Sequence, residues 1–524
     1  MAHPTLVPPR DWLDSPWEEK EGPGAGFLLA MTLLAAGLRL YHLGGASLWV
    51  DEILTWKMID PARGVHLGTQ FFDAIQGPLY LLVIWPLTRL QENEWLLRLP
   101  AALAGILTVP LFGGLLGQIM DRRSARLGTL LLAISPFHLW YSQEARGYSF
   151  LLLFVVLLGW SYVRMVEKGP SPGRALALAV TGAAAVLSNM SGLFLIFAMG
   201  LTVLLFHRPA RPRGWVLWAL ALGGAVLLTA PWILKASGIW AVDRILPGAE
   251  TGASLRGQTT FSPMALPYSI YTFFLGHSFG PSLRELHAPD RMAVLRANAP
   301  FLVLAVIPVG LGLLSGLRHL GGRRVFLLAL ILVPVGILVV LAVRNIKPWN
   351  PRYMAVTFPF LLALLALGLS RLPGRWSPVM AVAMVVLSLW SVGNHYWNGR
   401  YSKEDIRGAV AWVQQHDNSD LPVLAPAVQG VWSFYASGGG ELIPTYHHSA
   451  LQDQAAATEF FENELAGRAE FLFVASREWY FDPHGVLPVV LARRGHLELE
   501  KEWPGVRVYH WYRERPNGGI HEQG

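Results

Sequence analysis

The sequence has no cysteine and few charged residues. Without cysteine it can have neither a disulfide framework nor a cysteine-based zinc site or nucleophile, so the fold must be stabilised by packing alone. Charged residues are 15% and hydrophobic residues 53% of the 524 residues, a balance too apolar for a soluble globular protein of this length. The composition therefore predicts a polytopic membrane protein.

The N-terminus does not have the layout of a cleaved signal peptide. Acidic residues, including Asp11, Asp14 and Glu18, and several prolines precede any apolar run. We interpret residues 1–25 as a cytoplasmic tail. The net charge of +7 comes from short basic blocks between apolar runs, which indicates membrane loops rather than nucleic-acid binding.

Apolar runs long enough to cross about 30 Å of hydrocarbon predict eleven membrane crossings. The runs lie at 26–43, 97–119, 125–142, 149–165, 174–208 (as two short spans), 215–234, 299–317, 325–343, 354–370 and 377–393. The two short spans are expected to turn at residues 188–192. The apolar stretch 78–90 is short for a crossing, and we expect a re-entrant or interface-lying helix there.

The basic residues give an orientation, because they collect in five loops that all fall on one side. These clusters are Arg122, Arg123 and Arg126; Arg164, Lys168 and Arg174; Arg208, Arg211 and Arg213; Arg318, Arg323 and Arg324; and Arg371 and Arg375. By the positive-inside rule that side is cytoplasmic. The loops 44–96 and 235–296 and the C-terminal segment then lie outside, as in a multi-pass protein of the bacterial plasma (inner) membrane.

After Asn394 the apolar runs stop, and the pattern becomes that of a water-soluble domain. Residues 422–425 and 470–475 are typical of buried strands, and 404–415 and 455–465 of helices. We predict an extracytoplasmic α/β domain over 395–524. Acceptor recognition and simple structural capping are both open as its role.

Two adjacent carboxylates, Asp51 and Glu52, follow the first membrane run, between Trp49 and Trp56. Carboxylates are costly beside a bilayer, so this pair is a candidate for chemistry. Neighbours on a helix diverge by about 100°, so one of the two faces a given site, and we take Asp51 as the base. In the alternative, Asp51 N-caps a helix over 53–58 with Glu52 in its first turn.

A second external acid, Glu144, lies where the third predicted crossing emerges, followed by Arg146 and Tyr148. Two acidic sites that face one compartment suggest a shared pocket. Alternatively, Glu144 forms a surface pair with Arg146, and Trp140, Tyr141 and Tyr148 form an interface belt.

Basic residues on the outer side violate the orientation rule and are therefore informative. Arg344, Lys347 and Arg352 would lie at the outer headgroup level, where they could hold a lipid phosphate through charge-assisted hydrogen bonds or make generic contact with anionic headgroups. The 235–296 loop adds basic and histidine side chains, of which a lone histidine is usually structural. These are His277, Arg284 and His287.

Short motifs in a fixed order resemble the glycosyltransferases of the GT-C fold that use lipid-linked sugars. More narrowly, they resemble bacterial family-39 enzymes, which are related to protein O-mannosyltransferases and aminoarabinose transferases. The motifs are Arg39-Leu40-Tyr41, Trp49-Val50-Asp51-Glu52, Gly77-Pro78-Leu79-Tyr80, Leu97 through Leu103, Ser135 through Tyr148, and Pro351-Arg352-Tyr353.

The resemblance implies a helical GT-C membrane domain over 26–394, a polyprenyl-phosphate-sugar donor and inversion at the anomeric carbon. It assigns the catalytic Asp to Asp51, which would remove the proton of an acceptor hydroxyl as that oxygen attacks the sugar. Basic side chains would stabilise the departing lipid phosphate. The expected site thus comprises catalytic Asp51, Glu52 and Glu144; phosphate-binding Arg146, Arg344, Lys347 and Arg352; and further pocket residues Tyr148, Arg284, His287 and Tyr353.

A divalent metal is a further open prediction. Relatives often carry His or Glu near Pro78, where this chain has Gln76-Gly77, so that Asp51, Glu144 and His277 would have to supply ligands. The acceptor is also open between protein, lipid and glycan. A transporter or flippase of lipid-linked sugars is the main alternative function, although five of the predicted spans contain no ionisable residue. A non-catalytic assembly scaffold is the other.

Overall fold

The computed structural model describes residues 22–60, 77–239, 261–287, 290–320, 326–344, 346, 349–416, 420–436, 440–445 and 450–513. The described residues form two compact units. The helical unit takes them from Met1–Leu43, Met58–Gly280 and Asn298–His395. The α/β unit takes them from Gly44–Lys57, Pro281–Ala297 and Tyr396–Gly524.

Helices account for nearly all of the helical unit. In chain order the helices up to residue 397 are α1 (Ala25–Leu40), α2 (Val50–Lys57), α3 (Pro78–Thr88), α4 (Glu94–Ile119), α5 (Arg122–Ala133), α6 (Pro136–Ser142), α7 (Tyr148–Glu167), α8 (Pro172–Ser188), α9 (Gly192–Leu205), α10 (Pro212–Ile239), α11 (Ala265–Leu275), α12 (Arg291–Ala297), α13 (Ala299–Arg318), α14 (Phe326–Val343), α15 (Phe358–Arg371) and α16 (Trp376–Trp397). Of these, α2 and α12 belong to the α/β unit.

The prediction of a polytopic, helical membrane protein is confirmed. In the described chain, seven helical segments are long and apolar enough to cross a membrane. They are Glu94–Ile119, Tyr148–Glu167, Pro212–Lys235, Ala299–Arg318, Phe326–Val343, Pro351–Arg371 and Trp376–Trp397. The shorter apolar helices α1, α8 and α9 occupy other predicted spans, and α8 and α9 are separated at the expected turn. The stretch 78–90 forms α3, which is 11 residues long.

The prediction of one continuous span over 125–142 is wrong. The chain breaks between α5 and α6 because Pro136 has no N–H to continue the helix and disfavours helical geometry in the residue before it. Ser135 instead N-caps α6, its hydroxyl accepting a hydrogen bond from the backbone N–H of His138 at 3.2 Å.

A buried arginine compensates the carbonyls that this break releases. The guanidinium of Arg39, which is 0% exposed, donates to the Ala133 carbonyl at 2.9 Å and to the Leu132 carbonyl at 3.2 Å. It also lies 2.7 Å from Nδ1 of His138. An arginine inside an apolar run is therefore the structural partner of a helix break about a hundred residues away.

Glycines allow α13 and α15 to pack backbone against backbone. A Cβ atom on Gly368 would collide with the carbonyl oxygen of Gly312, and one on Gly316 would collide with that of Leu364. Small residues give such close approach in membrane helices, where van der Waals packing drives association. The pair forms part of the large apolar core of the helical unit.

The α/β unit contains a four-stranded sheet and the remaining helices. Its further elements are α17 (Ile406–Gln415), β1 (Val423–Leu424), α18 (Gln429–Tyr435), α19 (Gln454–Phe460), β2 (Glu470–Ala475), α20 (Glu478–Phe481), α21 (Val486–Arg494), β3 (His496–Trp503) and β4 (Val506–Tyr512). The strand order is β1-β2-β4-β3, with β1 and β2 parallel and the other pairs antiparallel. The indole of Trp511 stacks on Phe471 in its core, with ring centroids 4.8 Å apart.

The predicted strands and helices of this unit are found, but the hairpin of β3 and β4 was not predicted. Most side chains of β3 are exposed, so this strand lacks the apolar run that marks β2. The unit also includes Gly44–Lys57 and Pro281–Ala297, which the sequence interpretation assigned to loops of the membrane domain.

Candidate active site

Helix α2 separates the roles of the two adjacent carboxylates. It begins at Val50, so that Asp51 and Glu52 both lie in its first turn. A carboxylate oxygen of Glu52 accepts a hydrogen bond from the backbone N–H of Trp49 at 3.3 Å, as the acid of a capping box does. The alternative in which Asp51 N-caps a helix over 53–58 is therefore wrong, because the helix starts earlier and Glu52 reaches back to its N-terminus.

The two carboxylates also differ in burial. Glu52 is 0% exposed, whereas Asp51 is half-buried and keeps accessible surface. A buried carboxylate must be hydrogen-bonded to be tolerated, and Glu52 has such a bond to the helix N-terminus. Asp51 is thus the member of the pair with accessible surface.

In the helical unit, a buried tyrosine gathers several of the predicted site residues. Glu144, Arg352, Tyr148 and Tyr268 all lie near enough to Tyr141 to affect its electrostatic environment. The rings of Tyr141 and Tyr148 are 4.9 Å apart. Glu144 is 1% exposed, so the alternative of a surface ion pair is wrong for this residue.

We call Tyr141, Glu144, Tyr148, Tyr268 and Arg352 the tyrosine cluster. It combines a buried acid, a basic residue and three phenols, and its members come from distant parts of the sequence. Guanidinium and phenol groups can donate hydrogen bonds to hydroxyls and to anions.

The other predicted basic residues have various environments. The guanidinium of Arg146 lies over the Tyr148 ring at 5.9 Å, and that of Arg352 over the Tyr353 ring at 5.4 Å. Arg344 is exposed just after the end of α14. Lys347 lies outside the described residues.

A polar network, which was not predicted from the sequence, lies at the C-terminal end of helix α1. The side-chain nitrogen of Gln143 donates to the carbonyls of Arg39 at 3.1 Å and Tyr41 at 2.8 Å. Its side-chain oxygen accepts from Nε2 of His395 at 3.0 Å. Amide and imidazole side chains within otherwise apolar segments were the available signal, because buried polar groups need partners.

His277 lies against aromatic rings. Its ring centroid is 5.1 Å from that of Trp140 and 6.5 Å from that of Tyr141. Across the described ranges, no three or more His, Asp or Glu side chains are grouped so that they could hold a metal ion. A metal held by Asp51, Glu144 and His277 stays a prediction.

The two loop residues predicted for the pocket contact the protein's own loops in the α/β unit. The guanidinium of Arg284 donates to the backbone carbonyls of Gly399 at 3.2 Å and Ser402 at 3.3 Å. The imidazole of His287 stacks on Trp479, with centroids 4.6 Å apart. These contacts give both residues a structural role.

Comparison with known proteins agrees with this architecture. Residues 76–234 match the family of dolichyl-phosphate-mannose-protein mannosyltransferases. The fold is similar to that of ArnT from Cupriavidus metallidurans, both in the apo state (TM-score 0.53) and bound to undecaprenyl phosphate (TM-score 0.54). Each of these alignments has 14% identity and covers 93% of this chain and 98% of that chain.

The fold is also similar to that of the archaeal oligosaccharyltransferase AglB from Archaeoglobus fulgidus, in complex with an inhibitory peptide and a dolichol-phosphate. That alignment has a TM-score of 0.51 and 13% identity, and covers 95% of this chain and 75% of that chain. No curated protein sequence matches the chain. The chain thus has the GT-C fold, and residues 76–234 match one family of glycosyltransferases.

Proposed function

We propose that this protein is a glycosyltransferase that moves a sugar from a polyprenyl-phosphate donor to an acceptor on the outer face of the membrane, with Asp51 as general base and inversion at the anomeric carbon. Two observations support the donor class. The family matched by residues 76–234 is described by its dolichyl-phosphate-mannose donor. ArnT, a fold relative, has been solved with undecaprenyl phosphate bound.

The observation that carries the assignment of the base is the difference between Asp51 and Glu52. A general base must reach the proton that it removes, and Asp51 has accessible surface where Glu52 has none. Asp51 also lies on a helix rather than in a loop, so its position is defined by backbone hydrogen bonds.

In the proposed reaction the acceptor hydroxyl attacks C1 of the sugar from the face opposite the phosphate. The new C1–O bond forms as the bond from C1 to the phosphate oxygen breaks, and the carboxylate of Asp51 takes the hydroxyl proton. The lipid phosphate leaves with the bonding electron pair. One displacement inverts the anomeric configuration.

The departing phosphate gains negative charge and needs cationic donors. Arg352 is the best candidate, because it belongs to the tyrosine cluster and an arginine can bind phosphate through two parallel hydrogen bonds. Arg146, stacked over Tyr148, is a second candidate. Glu144 also lies near Tyr141, and it would help to hold the tyrosine cluster in place.

The outward orientation rests on the five basic loops of the sequence, which the positive-inside rule places in the cytoplasm. A bacterial enzyme with its site outside the plasma membrane meets no nucleotide sugars, so a lipid-linked donor fits that location.

The test is sugar transfer by the full-length protein in lipid vesicles, from a labelled polyprenyl-phosphate sugar to an envelope extract. Asp51→Asn is expected to lower transfer by about 10²- to 10⁴-fold, the usual contribution of a general base, and to leave donor binding unchanged. Asp453→Asn is the matched control, since Asp453 caps helix α19 and should leave transfer unchanged. Normal transfer by Asp51→Asn would refute the proposal. Movement of the label across the bilayer without transfer would instead indicate a transporter.

A further inference from the structure

The segment that carries Asp51 is built into the α/β unit. Although Gly44–Lys57 follows the first membrane helix in sequence, it clusters with the C-terminal part of the chain, about 350 residues away. Helix α2 has only eight residues, and isolated helices of that length are not stable in water. Its packing partners must therefore stabilise it.

A hydrogen-bonded chain fixes the loop that leads into α2. The hydroxyl of Ser47 donates to a carboxylate oxygen of Asp405 at 3.0 Å and accepts from the backbone N–H of Arg407 at 3.1 Å. The Arg407 guanidinium donates to the carbonyls of Gly44 at 3.3 Å and Gly45 at 2.6 Å. Several backbone and side-chain groups of the loop are thus held by the N-terminus of α17.

A tyrosine holds the residue just before the helix. The hydroxyl of Tyr435 accepts a hydrogen bond from the backbone N–H of Leu48 at 2.7 Å. Leu48 is fully buried, so without the phenol this N–H would have no water to replace the bond. Tyr435 is the last residue of helix α18.

The body of α2 packs against the same helix α18. The ring of Trp56 meets Phe434 edge to face, with centroids 4.9 Å apart. A Cβ atom on Gly430 would come within 2.8 Å of the Lys57 ammonium and 3.5 Å of the Ile53 side chain. Glycine at this position therefore allows α2 to approach α18 closely.

We propose that Asp405 and Tyr435 are positioning residues for Asp51, and that the C-terminal α/β domain takes part in catalysis by fixing the helix that carries the base. The inference rests on the proposed function, in which Asp51 is that base. A base displaced by about 1 Å can lower a rate about 10²-fold, so the loss of these contacts should reduce turnover more than substrate binding.

The kinetic test compares matched pairs of variants in the full-length protein in vesicles. Tyr435→Phe and Asp405→Ala are expected to lower kcat by roughly 10- to 100-fold with KM for the donor unchanged. Asp405→Asn should restore most of the activity, because its side-chain carbonyl still accepts from Ser47. The controls are Asp453→Ala, which removes the cap of α19, and Tyr512→Phe, which removes a hydroxyl that donates to Glu498.

The controls should leave kcat within about twofold of the parent protein, because the hydrogen bonds that they remove lie at the start of α19 and between β3 and β4, not at residues 44–57. If kcat falls equally in the test and control variants, Asp405 and Tyr435 contribute only to general stability, and the proposal is overturned. So would a rise in KM at constant kcat, or no change at all.

Hydrogen exchange separates this inference from the identity of the base. In Tyr435→Phe, the Leu48 amide and the rest of 44–57 should exchange about tenfold faster than in the parent, since one buried hydrogen bond is lost. Exchange in β2 should be unchanged. If Asp51→Asn keeps full activity, the proposed function fails, while this measurement still decides whether the α/β domain holds the segment. Unchanged exchange over 44–57 would overturn the positioning role.

Discussion

The two units of this protein treat their charged groups in opposite ways. The helical unit buries two arginines against backbone carbonyls. Arg39 donates to carbonyls at the α5–α6 break, and Arg98, which is 2% exposed, donates to the Leu43 carbonyl at 3.1 Å. Arg39 thus donates to carbonyls in the last turn of α5, and Arg98 to a carbonyl in the turn that follows α1.

The α/β unit leaves most of its ion pairs at the surface. Arg400 and Glu285 lie 2.8 Å apart and Arg468 and Glu441 2.7 Å apart, each pair with at least one well-exposed partner. Its buried acids Glu52 and Asp482 instead accept hydrogen bonds from backbone N–H groups at helix N-termini. In these examples from both units, each buried charged side chain forms a hydrogen bond with the backbone.

This difference predicts where substitutions matter. Removing a buried charged partner leaves polar groups with neither protein nor water to bind, whereas water replaces a lost partner at the surface. Substitution of a buried charged residue, such as Arg39 or Arg98, should therefore destabilise the protein strongly, and substitution of an exposed pair in the α/β unit weakly.

The largest effect is expected for Arg39→Leu. It leaves the Leu132 and Ala133 carbonyls and Nδ1 of His138 without this donor. Each buried acceptor that loses its donor costs about 1–3 kcal/mol, so the free energy of unfolding should fall by about 3–5 kcal/mol. Denaturation of the purified protein in detergent measures this, with Arg400→Leu as the surface control. If the free energy of unfolding falls by less than about 1 kcal/mol, the buried Arg39 matters no more than an exposed arginine, which would contradict this comparison.

A smaller loss is expected where the helical unit depends on shape instead of charge. Gly368→Val places side-chain atoms against the Gly312 carbonyl and should cost about 1–3 kcal/mol, the usual penalty of overpacking. Gly223→Val in α10 is the control, since a Cβ atom there meets nothing within 4 Å. If both variants melt at the same temperature, α13 and α15 do not require their close approach.

The smallest effect is expected for the Glu285–Arg400 pair, through pH. Burial raises the pKa of Glu285, but hydrogen bonds from Arg400 and the Ser282 backbone and the charge of Arg400 outweigh it, so the pKa is lowered from 4.5. Stabilisation by a carboxylate with a lowered pKa is complete above the unfolded pKa and is lost as pH falls through the folded pKa.

Glu285→Gln should therefore destabilise the protein by at most about 1 kcal/mol at pH 7, a limit set by solvent screening of an exposed pair. The difference from the parent should shrink as the pH falls below 4.5, the ordinary value for this carboxyl. Melting curves of both proteins from pH 7 to about pH 3 measure it. A difference that grows on acidification would have the wrong sign.

The sequence predicted the membrane helices and the fold class well, because apolar runs directly reflect burial in a bilayer. It predicted less of the site. That Glu144 and Arg352 lie near one tyrosine depends on packing between distant helices, and no local pattern encodes such a contact. The break at Pro136 could have been predicted, since proline marks helix starts; the apolar run across it concealed this signal.

The contrast between Asp51 and Glu52 shows the same limit. Their spacing predicted that one of the two would face a site, but not where helix α2 starts. That start depends on tertiary contacts such as the bond from the Leu48 amide to Tyr435. The full burial of Glu52 and the partial burial of Asp51 follow from the helix start and could not be predicted from two adjacent acids.

The most direct test of the account compares these two neighbours in one assay. Turnover of a polyprenyl-phosphate sugar donor is measured for Asp51→Asn and Glu52→Gln, together with the melting temperature of each. We predict that Asp51→Asn lowers turnover by at least about 10²-fold at an unchanged melting temperature, whereas Glu52→Gln lowers the melting temperature and keeps turnover within about tenfold. The reverse result, with turnover lost in Glu52→Gln and kept in Asp51→Asn, would contradict the assignment of Asp51 as the base.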